Sequence, residues 1–288
     1  MVSLYQEKRK MMKMSKILIK VNNEKDFICP SSGYILGLDK YSICFNLKFN
    51  IDELIELRKK YSDRKIFVSL NRTIYNNELD EYKGILKKLD EYSFDGFIVG
   101  DKAALTYDLK TNVILDELHL NNSYKTINHY EKNGVNGIVL TNDIPYSDIN
   151  KIRENTSCIL FKQIFGYLHL STSVRTLATN YLKYFNIDNY SKSYFIKEQN
   201  SDDYYRVVED SFGTHILSNK VLNLFTFLDD INVDYFIIDS YFIDDISLVF
   251  DAFLNKDKSL NNKINETYDT FDGFINKKTI YKVKNYDK

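Results

Sequence analysis

Polar side chains that could carry chemistry stand where short apolar runs of this sequence end. Asp143, Arg175 and Asp239 are candidate catalytic residues, because carboxylates exchange protons and a guanidinium grips an anion through paired hydrogen bonds. Glu117 and His169 follow two further runs and are candidate substrate-binding residues. If the runs are strands of one barrel, these groups converge on one pocket. Such a pocket suits acid–base chemistry or the binding of an anionic substrate.

Each of these residues also has a purely structural interpretation. A carboxylate at the end of a strand often caps the helix that follows, as Asp101 and Asp143 would. Arg175 is equally explained as an exposed arginine on a helix. His169 and His215 are each explained as hydrogen-bonding loop histidines, because neither stands at metal-ligand spacing from other ligands.

The motifs of several enzyme classes are absent from the sequence. No GxSxG, phosphate-binding loop or paired-glycine fingerprint occurs. Ser173 has no base beside it in sequence, so nothing here supports a serine peptidase. The cysteines, Cys29, Cys44 and Cys158, are widely spaced and form no CxxC pair. This pattern predicts a reducing cytoplasm, and we expect neither bound zinc nor an iron–sulfur cluster.

Eight short apolar runs alternate with segments of helical periodicity. The predicted strands are residues 17–21, 34–37, 65–70, 96–99, 113–115, 137–140, 158–161 and 235–238. Strands that alternate with helices in this way lie parallel, so the sequence predicts an α/β fold, a (β/α)8 TIM-type barrel over residues 14–255. An open doubly wound sheet is the competing architecture.

The stretch 161–184 predicts a strand, a loop and a capped helix. Gly166 interrupts an apolar run, and the serines and threonine at 171–173 precede apolar residues at helical spacing from Val174 onward. Residues 186–214 are polar and predict an insertion after the seventh strand, a hairpin on the catalytic face. Further helices are predicted at 103–109 and 221–228.

The two ends of the chain predict less structure. Residues 1–13 are basic and are expected to form a disordered leader. Residues 256–270 predict a polar linker, and the tail from Phe271 to Lys284 predicts an edge strand that packs back on the barrel.

The composition suits a large globular fold and argues against two classes of partner. The chain has 288 residues, of which 44% are hydrophobic, and a formal net charge of −1. A neutral balance does not predict bulk affinity for nucleic acid. No apolar run approaches the roughly 18 residues of a membrane span, so we expect no membrane association.

A family resemblance appears in the segment after the seventh predicted strand. Gly166, the pair Ser173-x-Arg175 and the pair Asn180-Tyr181 resemble the core signature of peptidase family U32, the collagenase-like peptidases. The similarity is greatest to the short Firmicutes and mollicute members and extends to residues 213–215, which end in His215. The resemblance implies the barrel fold and adds Gly166, Ser173, Asn180, Tyr181 and His215 to the candidate substrate-binding residues.

This sequence departs from the family pattern at several positions. Many relatives carry Arg-Glu-Leu where residues 142–144 read Asn-Asp-Ile, and many carry His-Gly where this chain has Phe165-Gly166. A lysine is common where Ile237 precedes Ile238-Asp239. Cysteine-rich relatives hold an iron–sulfur cluster near the segment matching 166–181, where this chain has His169 and no cysteine. A four-cysteine cluster therefore cannot be built.

Three functions follow from the resemblance and the departures from it. The first is RNA modification of the tRNA uridine hydroxylation type, with tRNA as partner and prephenate or a related acidic metabolite as the small molecule. The second is a non-catalytic subunit that pairs with a full-length paralogue, since charged pocket groups are lost. The third is the collagenase-like peptidase activity of the family name. Whether the chain is catalytically active stays open at this point.

Overall fold

Eight parallel strands close into a barrel, as predicted. The structure, a computed structural model, describes residues 16–28, 31–188, 191 and 193–277. The barrel strands are β1 (Lys16–Lys20), β2 (Gly33–Leu38), β4 (Lys65–Leu70), β5 (Gly96–Val99), β6 (Val113–Leu115), β7 (Gly137–Val139), β8 (Ile159–Ser173) and β12 (Tyr235–Asp239). Each pairs in parallel with the next, and β12 pairs with both β8 and β1, which closes the ring. The competing open sheet is therefore wrong.

Apolar side chains fill the barrel and also cover its outer surface. Leu18, Phe67, Phe161 and Ile237 belong to the cluster inside the ring. The Phe161 and Tyr235 rings stack with centroids 4.9 Å apart, and Phe67 meets Phe161 edge to face. A second, larger cluster lies between the strands and the surrounding helices. Burial on both faces explains why the strands read as continuous apolar runs rather than as alternating patterns.

Helices of ordinary amphipathic design surround the ring. They are α1 (Ile51–Lys60), α2 (Leu79–Asp90), α3 (Tyr124–Lys132), α4 (Tyr146–Asn155), α5 (Leu177–Tyr184), α6 (Ile246–Asn255) and α7 (Lys258–Thr267). Asn50 and Glu53 form a reciprocal capping box at the start of α1. Residues 103–109, predicted as a helix, form instead the 3-10 segment Lys102–Thr106, capped by Asp101.

Strand β8 is 15 residues long and runs out of the barrel mouth. Its outer half pairs antiparallel with β11 (Gly213–Asn223), which continues to β10 (Tyr204–Asp210) and β9 (Ser193–Lys197). The predicted insertion is therefore a three-stranded extension at the carboxyl ends of the barrel strands, reaching beyond 214.

The predicted loop and helix cap at 171–173 are wrong, because these residues belong to the β8–β11 ladder, where Thr172 faces His215. Helix α5 begins later, at Leu177. The N–H of Leu177 donates to the Thr214 hydroxyl at 2.8 Å, and those of Ala178 and Thr179 donate to the Glu209 carboxylate of β10 at 2.8 and 3.0 Å. Side chains remote in sequence thus cap the first turn of this helix. The residues next to the helix in sequence could not reveal such a cap.

Two further segments differ from prediction. Residues 221–228 form the end of β11 and a 3-10 turn, Phe225–Phe227, rather than a helix. Residues 258–267, predicted as linker, form α7, because Asp257 accepts hydrogen bonds from Ser259 and Leu260 as its N-cap. The short strand β13 (Thr270–Phe271) pairs with β11, and of the tail predicted to form an edge strand it includes only Phe271.

The predicted leader, 1–13, lies outside the described residues, as does the tail beyond residue 277. The remaining strand, β3 (Lys48–Phe49), pairs with β2. Among the described residues, no helix has the length and apolar character needed to cross a membrane.

Candidate functional site

A polar layer covers the apolar filling of the barrel at the carboxyl ends of the strands. Side chains two residues apart on a strand point the same way. Two residues beyond Leu18 and Ile237 are Lys20 and Asp239, the last residues of β1 and β12. They line a cavity of about 100 Å³ at the barrel mouth, together with Gln163 of β8. Carboxyl ends of barrel strands are where enzymes of this fold place their chemistry.

Lys20 and Asp239 form the central ion pair of this cavity. They face each other in the β1–β12 register, and the ammonium lies 2.8 Å from one carboxylate oxygen. The other oxygen accepts from Asn22 at 3.1 Å and from the backbone N–H of Tyr241 at 3.0 Å. Lys20 also lies 4.5 Å from the centre of the Phe45 ring. Both charged side chains are largely buried. The hydrogen bonds to Asp239 and the aromatic contact of Lys20 fix the position of the pair.

His119 and Asp143 form a second pair on the cavity wall. Nδ1 of His119 lies 2.7 Å from the Asp143 carboxylate, and Nε2 lies 3.0 Å from the carbonyl oxygen of Leu170. Both neighbours are acceptors, so they favour a doubly protonated ring. The Asp143 carboxylate, followed by the Leu170 carbonyl, raises the pKa of His119.

The half-buried Asp116 and the buried Lys162 lie beside these pairs and have shifted pKa values. Burial raises the pKa of Asp116, which lines the cavity directly after β6. Burial lowers the pKa of Lys162 to about 7. The Lys162 ammonium donates to the carbonyl oxygen of Thr141 at 2.9 Å and to the side chain of Asn142. Asp116 can therefore hold a proton at a higher pH than an ordinary aspartate does.

Cys44, His169 and His215 meet beside the cavity. One potential ligand atom of each lies within 4.8 Å of the others. Cys44 and His169 line the cavity, and His215 is fully buried behind them. Burial raises the pKa of the Cys44 thiol to about 12. Burial, reinforced by the neighbouring His215, lowers the pKa of His169 to about 3, so the thiol and this ring are both neutral.

Thr172 and Asp210 surround the two histidines of this group. The Thr172 hydroxyl lies 2.6 Å from Nε2 of His169 and 3.0 Å from Nδ1 of His215. Nε2 of His215 lies 3.3 Å from the Asp210 carboxylate, which also pairs with Lys48. No local sequence signal marks this hydroxyl–imidazole–carboxylate chain, because its members lie on three different strands.

Glu117 lines a neighbouring cavity of about 610 Å³ rather than the central one. Its carboxylate lies 2.6 Å from the Lys102 ammonium, and this hydrogen bond raises the pKa of Lys102. Arg72 borders the same space and pairs with Glu78. Asp116 lines both cavities, so the two spaces adjoin.

Four predicted site residues lie away from both cavities. Ser173 accepts a hydrogen bond from the backbone N–H of Arg175, and the Arg175, Asn180 and Tyr181 side chains are exposed around α5. The prediction that Arg175 converges with Asp143 and Asp239 on one pocket is therefore wrong for the arginine. Asp239 is held by Lys20 instead, because β8 carries the chain outward before α5 begins.

Gly166 shapes the backbone of β8 and offers no side chain for binding. Its φ is +115°, and a Cβ there would lie 2.5 Å from the carbonyl oxygen of Asp239. The register between β12 and β8 also shifts next to this point. Only glycine combines this conformation with so close an approach. Gly166 therefore lets β8 bend at the level of the ion pair.

Comparison with known proteins identifies the family. The model of peptidase family U32 matches residues 34–273. The chain belongs to peptidase family U32. It is 25% identical over 250 residues to tRNA hydroxylation protein P2 of Bacillus subtilis (strain 168), covering 79% of this chain and 80% of that protein. It is also 25% identical over 163 residues to tRNA hydroxylation protein P1 of the same organism, covering 53% of this chain and 38% of that protein.

A solved family member shares the fold. The structure of the U32 peptidase Mk0906 superposes with a TM-score of 0.50 at 13% sequence identity, covering 78% of this chain and 92% of that one. At this identity the likeness shows the barrel fold alone.

The iron–sulfur cluster of cysteine-rich U32 members does not fit this chain. Of the cysteines in the described residues, Cys44 lies at the barrel mouth, while Cys158 is buried against the carbonyl of Val135 at the start of β8. Four thiolates cannot converge from these positions.

Proposed function

We propose that this U32 protein takes part in hydroxylation-type modification of tRNA and that the cavity at the barrel mouth is its active site. The observation that carries the proposal is the similarity to tRNA hydroxylation protein P2 over 79% of the chain. The position of the cavity, at the carboxyl ends of the strands, supports it. A uridine base is the substrate that the family resemblance implies.

The cavity offers groups suited to holding and moving protons. Asp116, with its raised pKa, acts as a proton carrier at the cavity wall. His119, whose pKa is raised by the Asp143 carboxylate, donates a hydrogen bond or a proton to a substrate oxygen that replaces the Leu170 carbonyl at Nε2. Lys20, held in place by Asp239, supplies a positive charge to the cavity. Together these groups could stabilise negative charge that develops on a bound base.

Loss and restoration of a modified nucleoside tests this proposal. We expect tRNA from a strain that lacks the gene to lose a hydroxylated uridine, measured by mass spectrometry of nucleosides. A plasmid-borne wild-type gene should restore it, whereas Lys20→Met should not. Lys65→Met is the matched control, because Lys65 pairs with Asp95 at 2.6 Å at the opposite end of the barrel. An unchanged nucleoside profile would contradict the proposal, and full restoration by Lys20→Met would remove the cavity from it.

An acidic metabolite such as prephenate is less favoured by the charges of the cavity. Asp116, Asp143 and Asp239 all line it, and Lys20 is already paired with Asp239. A dicarboxylate would have to compete with Asp239 for Lys20 and with Asp143 for His119. We therefore expect weak binding of prephenate by the protein alone.

Calorimetric titration with prephenate checks this expectation. Arg175→Lys should leave the titration unchanged, because Arg175 is exposed and lies away from the cavity. If the wild type binds, Lys20→Met should weaken binding about tenfold or more, the worth of one charge-assisted hydrogen bond. Tight binding that Arg175→Lys weakens tenfold would reinstate the arginine as a clamp.

A non-catalytic partner subunit is the second candidate, and an exposed apolar ridge favours it. Leu177, Tyr181, Tyr184 and Phe185 on and after α5 are 47%, 58%, 80% and 54% exposed. Contiguous exposed aromatic residues mark interaction surfaces. We take the occupant to be a paralogous U32 subunit, as two related members occur together in Bacillus subtilis.

Peptidase activity has one structural support, the chain from Thr172 through His215 to Asp210. In a nucleophile–base pair, the hydroxyl donates to one base and keeps its lone pairs for attack. Here the Thr172 oxygen also lies 2.6 Å from Nε2 of His169. A hydroxyl shared between two imidazoles is a poor nucleophile, so this third candidate stays behind the other two.

A further inference from the structure

We propose that Cys44, His169 and His215 bind one divalent transition-metal ion, such as Zn²⁺ or Fe²⁺, through a thiolate and two imidazole nitrogens. This replaces the expectation of a protein without zinc, which rested on spacing in the sequence. The three residues come from the loop after β2, from β8 and from β11, and the fold brings their ligand atoms within 4.8 Å of one another.

The donor types and distances suit such an ion. Thiolate and imidazole together select Zn²⁺ and neighbouring transition metals over Mg²⁺ and Ca²⁺. With bonds of about 2.0–2.3 Å, tetrahedral ligand atoms lie roughly 3.5 Å apart. A separation of up to 4.8 Å therefore closes with side-chain adjustments of about 1 Å. Two of the residues are buried, so water competes little for them.

Surrounding groups already orient the ligands. The Asp210 carboxylate accepts from Nε2 of His215 at 3.3 Å, which leaves the lone pair of that ring on Nδ1, facing Thr172. A carboxylate behind a ligating histidine is the usual second layer of a metal site. On binding, the Cys44 thiol releases its proton to solvent and the Thr172 hydroxyl turns away from His215.

Cys44 is held in an unfavourable backbone conformation that its surroundings enforce. Its φ is +57°, a left-handed value that costs energy for a residue with a side chain. Asn71 accepts from the N–H of Ile43 at 2.9 Å, and Asn22 accepts from the N–H of Asn46 at 2.9 Å. These two amides fix the loop on either side of Cys44. Such strain is typical of functional positions.

Three protein ligands leave a fourth position for a water molecule or a substrate atom. Sites of this kind are catalytic rather than structural in zinc proteins. Cys44 and His169 line the cavity, so that position is reached from the space that holds Lys20 and Asp239. The inference concerns binding and stands whether or not the proposed function is correct.

Cobalt titration of the metal-stripped protein tests the site. We expect the wild type to bind one equivalent of Co²⁺ with a thiolate-to-cobalt charge-transfer band that Zn²⁺ abolishes. Cys44→Ser should lose the band. His169→Ala and His215→Ala should weaken binding at least tenfold, and Asp210→Asn about 10- to 100-fold, as for other second-layer carboxylates. Metal analysis of anaerobically purified protein then identifies the ion, zinc or iron.

Matched controls use the remaining cysteines and an exposed histidine. Cys29→Ser, Cys158→Ser and His129→Ala should keep the band, and so should Thr172→Val, which removes the hydroxyl but no ligand. A second readout needs no variant: Zn²⁺ should protect Cys44 of the wild type from alkylation, followed by peptide mass spectrometry. A wild type without the band, or with a band that survives Cys44→Ser, would overturn the site. If the metal-free protein is alkylated at Cys44, an equal extent of alkylation with Zn²⁺ would do the same.

Discussion

Lys20 reaches the Asp239 carboxylate from the neighbouring strand, because the two residues stand opposite each other in the β1–β12 register. The family resemblance leads us to expect a lysine where this chain has Ile237, whose side chain lines the same cavity. An ammonium is thus supplied beside Asp239 from β1 instead of β12. The absence of a lysine from the eighth strand therefore supports a non-catalytic subunit less strongly than the sequence alone suggested.

Lys162 should make the stability of the protein depend on pH. Burial lowers its pKa to about 7 in the folded state, against an ordinary value of 10.5. Between these values the unfolded chain binds a proton that the folded chain does not. The free energy of unfolding should therefore rise with pH across that window, by up to about 1.4 kcal/mol per pH unit.

Urea unfolding of wild type and Lys162→Met at pH 7 to 9.5 measures this effect. In Lys162→Met, the free energy of unfolding should no longer show the rise with pH that Lys162 causes. Lys65→Met is the control, since its hydrogen bond to Asp95 raises the pKa of Lys65 and keeps it charged throughout. Equal slopes for wild type and Lys162→Met would show that Lys162 does not titrate in this range.

At the scale of residues, the sequence located the groups that end strands and missed those that depend on pairing. Asp143, His169 and Asp239 were found because each follows an apolar run, and all three line the cavity. Lys20 was missed, because it lies inside the predicted strand 17–21, whereas the observed strand ends at Lys20. Cys44 carried no signal and His215 was named only through the family resemblance, because only the closed barrel and the β8–β11 ladder bring them together.

At the scale of elements, the end of β8 could not be predicted from the residues close to it in sequence. Gly166 and the serines after it read as a strand end followed by a cap. The ladder with β11 instead draws residues up to Ser173 into the strand. Since β11 lies some 40 residues onward, its pairing could not be read from propensity. The eight barrel strands were predictable because burial on both faces marks each of them within its own segment.

Replacing Gly166 should destabilise the protein at this bend. Gly166→Ala places a methyl group 2.5 Å from the carbonyl oxygen of Asp239 at a φ of +115°. We expect a loss of about 1–3 kcal/mol in the free energy of unfolding, the cost of a strained left-handed residue. Urea denaturation measures this loss, provided that the dependence of the free energy of unfolding on urea concentration is the same in both proteins.

Gly84→Ala is the matched control for Gly166→Ala. Gly84 lies on α2 with no heavy atom within 4 Å of an added Cβ. There the same substitution should stabilise the protein by roughly 0.5–1 kcal/mol, through helix propensity. Two variants with the same sign of effect would refute the role given to Gly166.

At the scale of the whole molecule, the barrel puts its polar cavity and the α5 ridge on the same, carboxyl-terminal side. The β8–β11 extension carries α5 away from the ring, and Glu209 anchors the start of that helix. The chain carries a formal net charge of −1, so electrostatics alone gives it little hold on tRNA. A partner that contributes basic surface would strengthen that hold.

The α5 ridge should therefore bind a paralogous U32 subunit. Tyr184→Glu changes a side chain that is 80% exposed, so stability should stay within about 0.5 kcal/mol of the wild type. Burying a charge in an apolar interface should nevertheless abolish the complex. Lys183→Glu, one residue away on the same helix, is the control for an added negative charge. Affinity purification from the source organism, with the partner identified by mass spectrometry, measures the result. Recovery of the wild type without any U32 paralogue, or of Tyr184→Glu with one, would contradict the prediction.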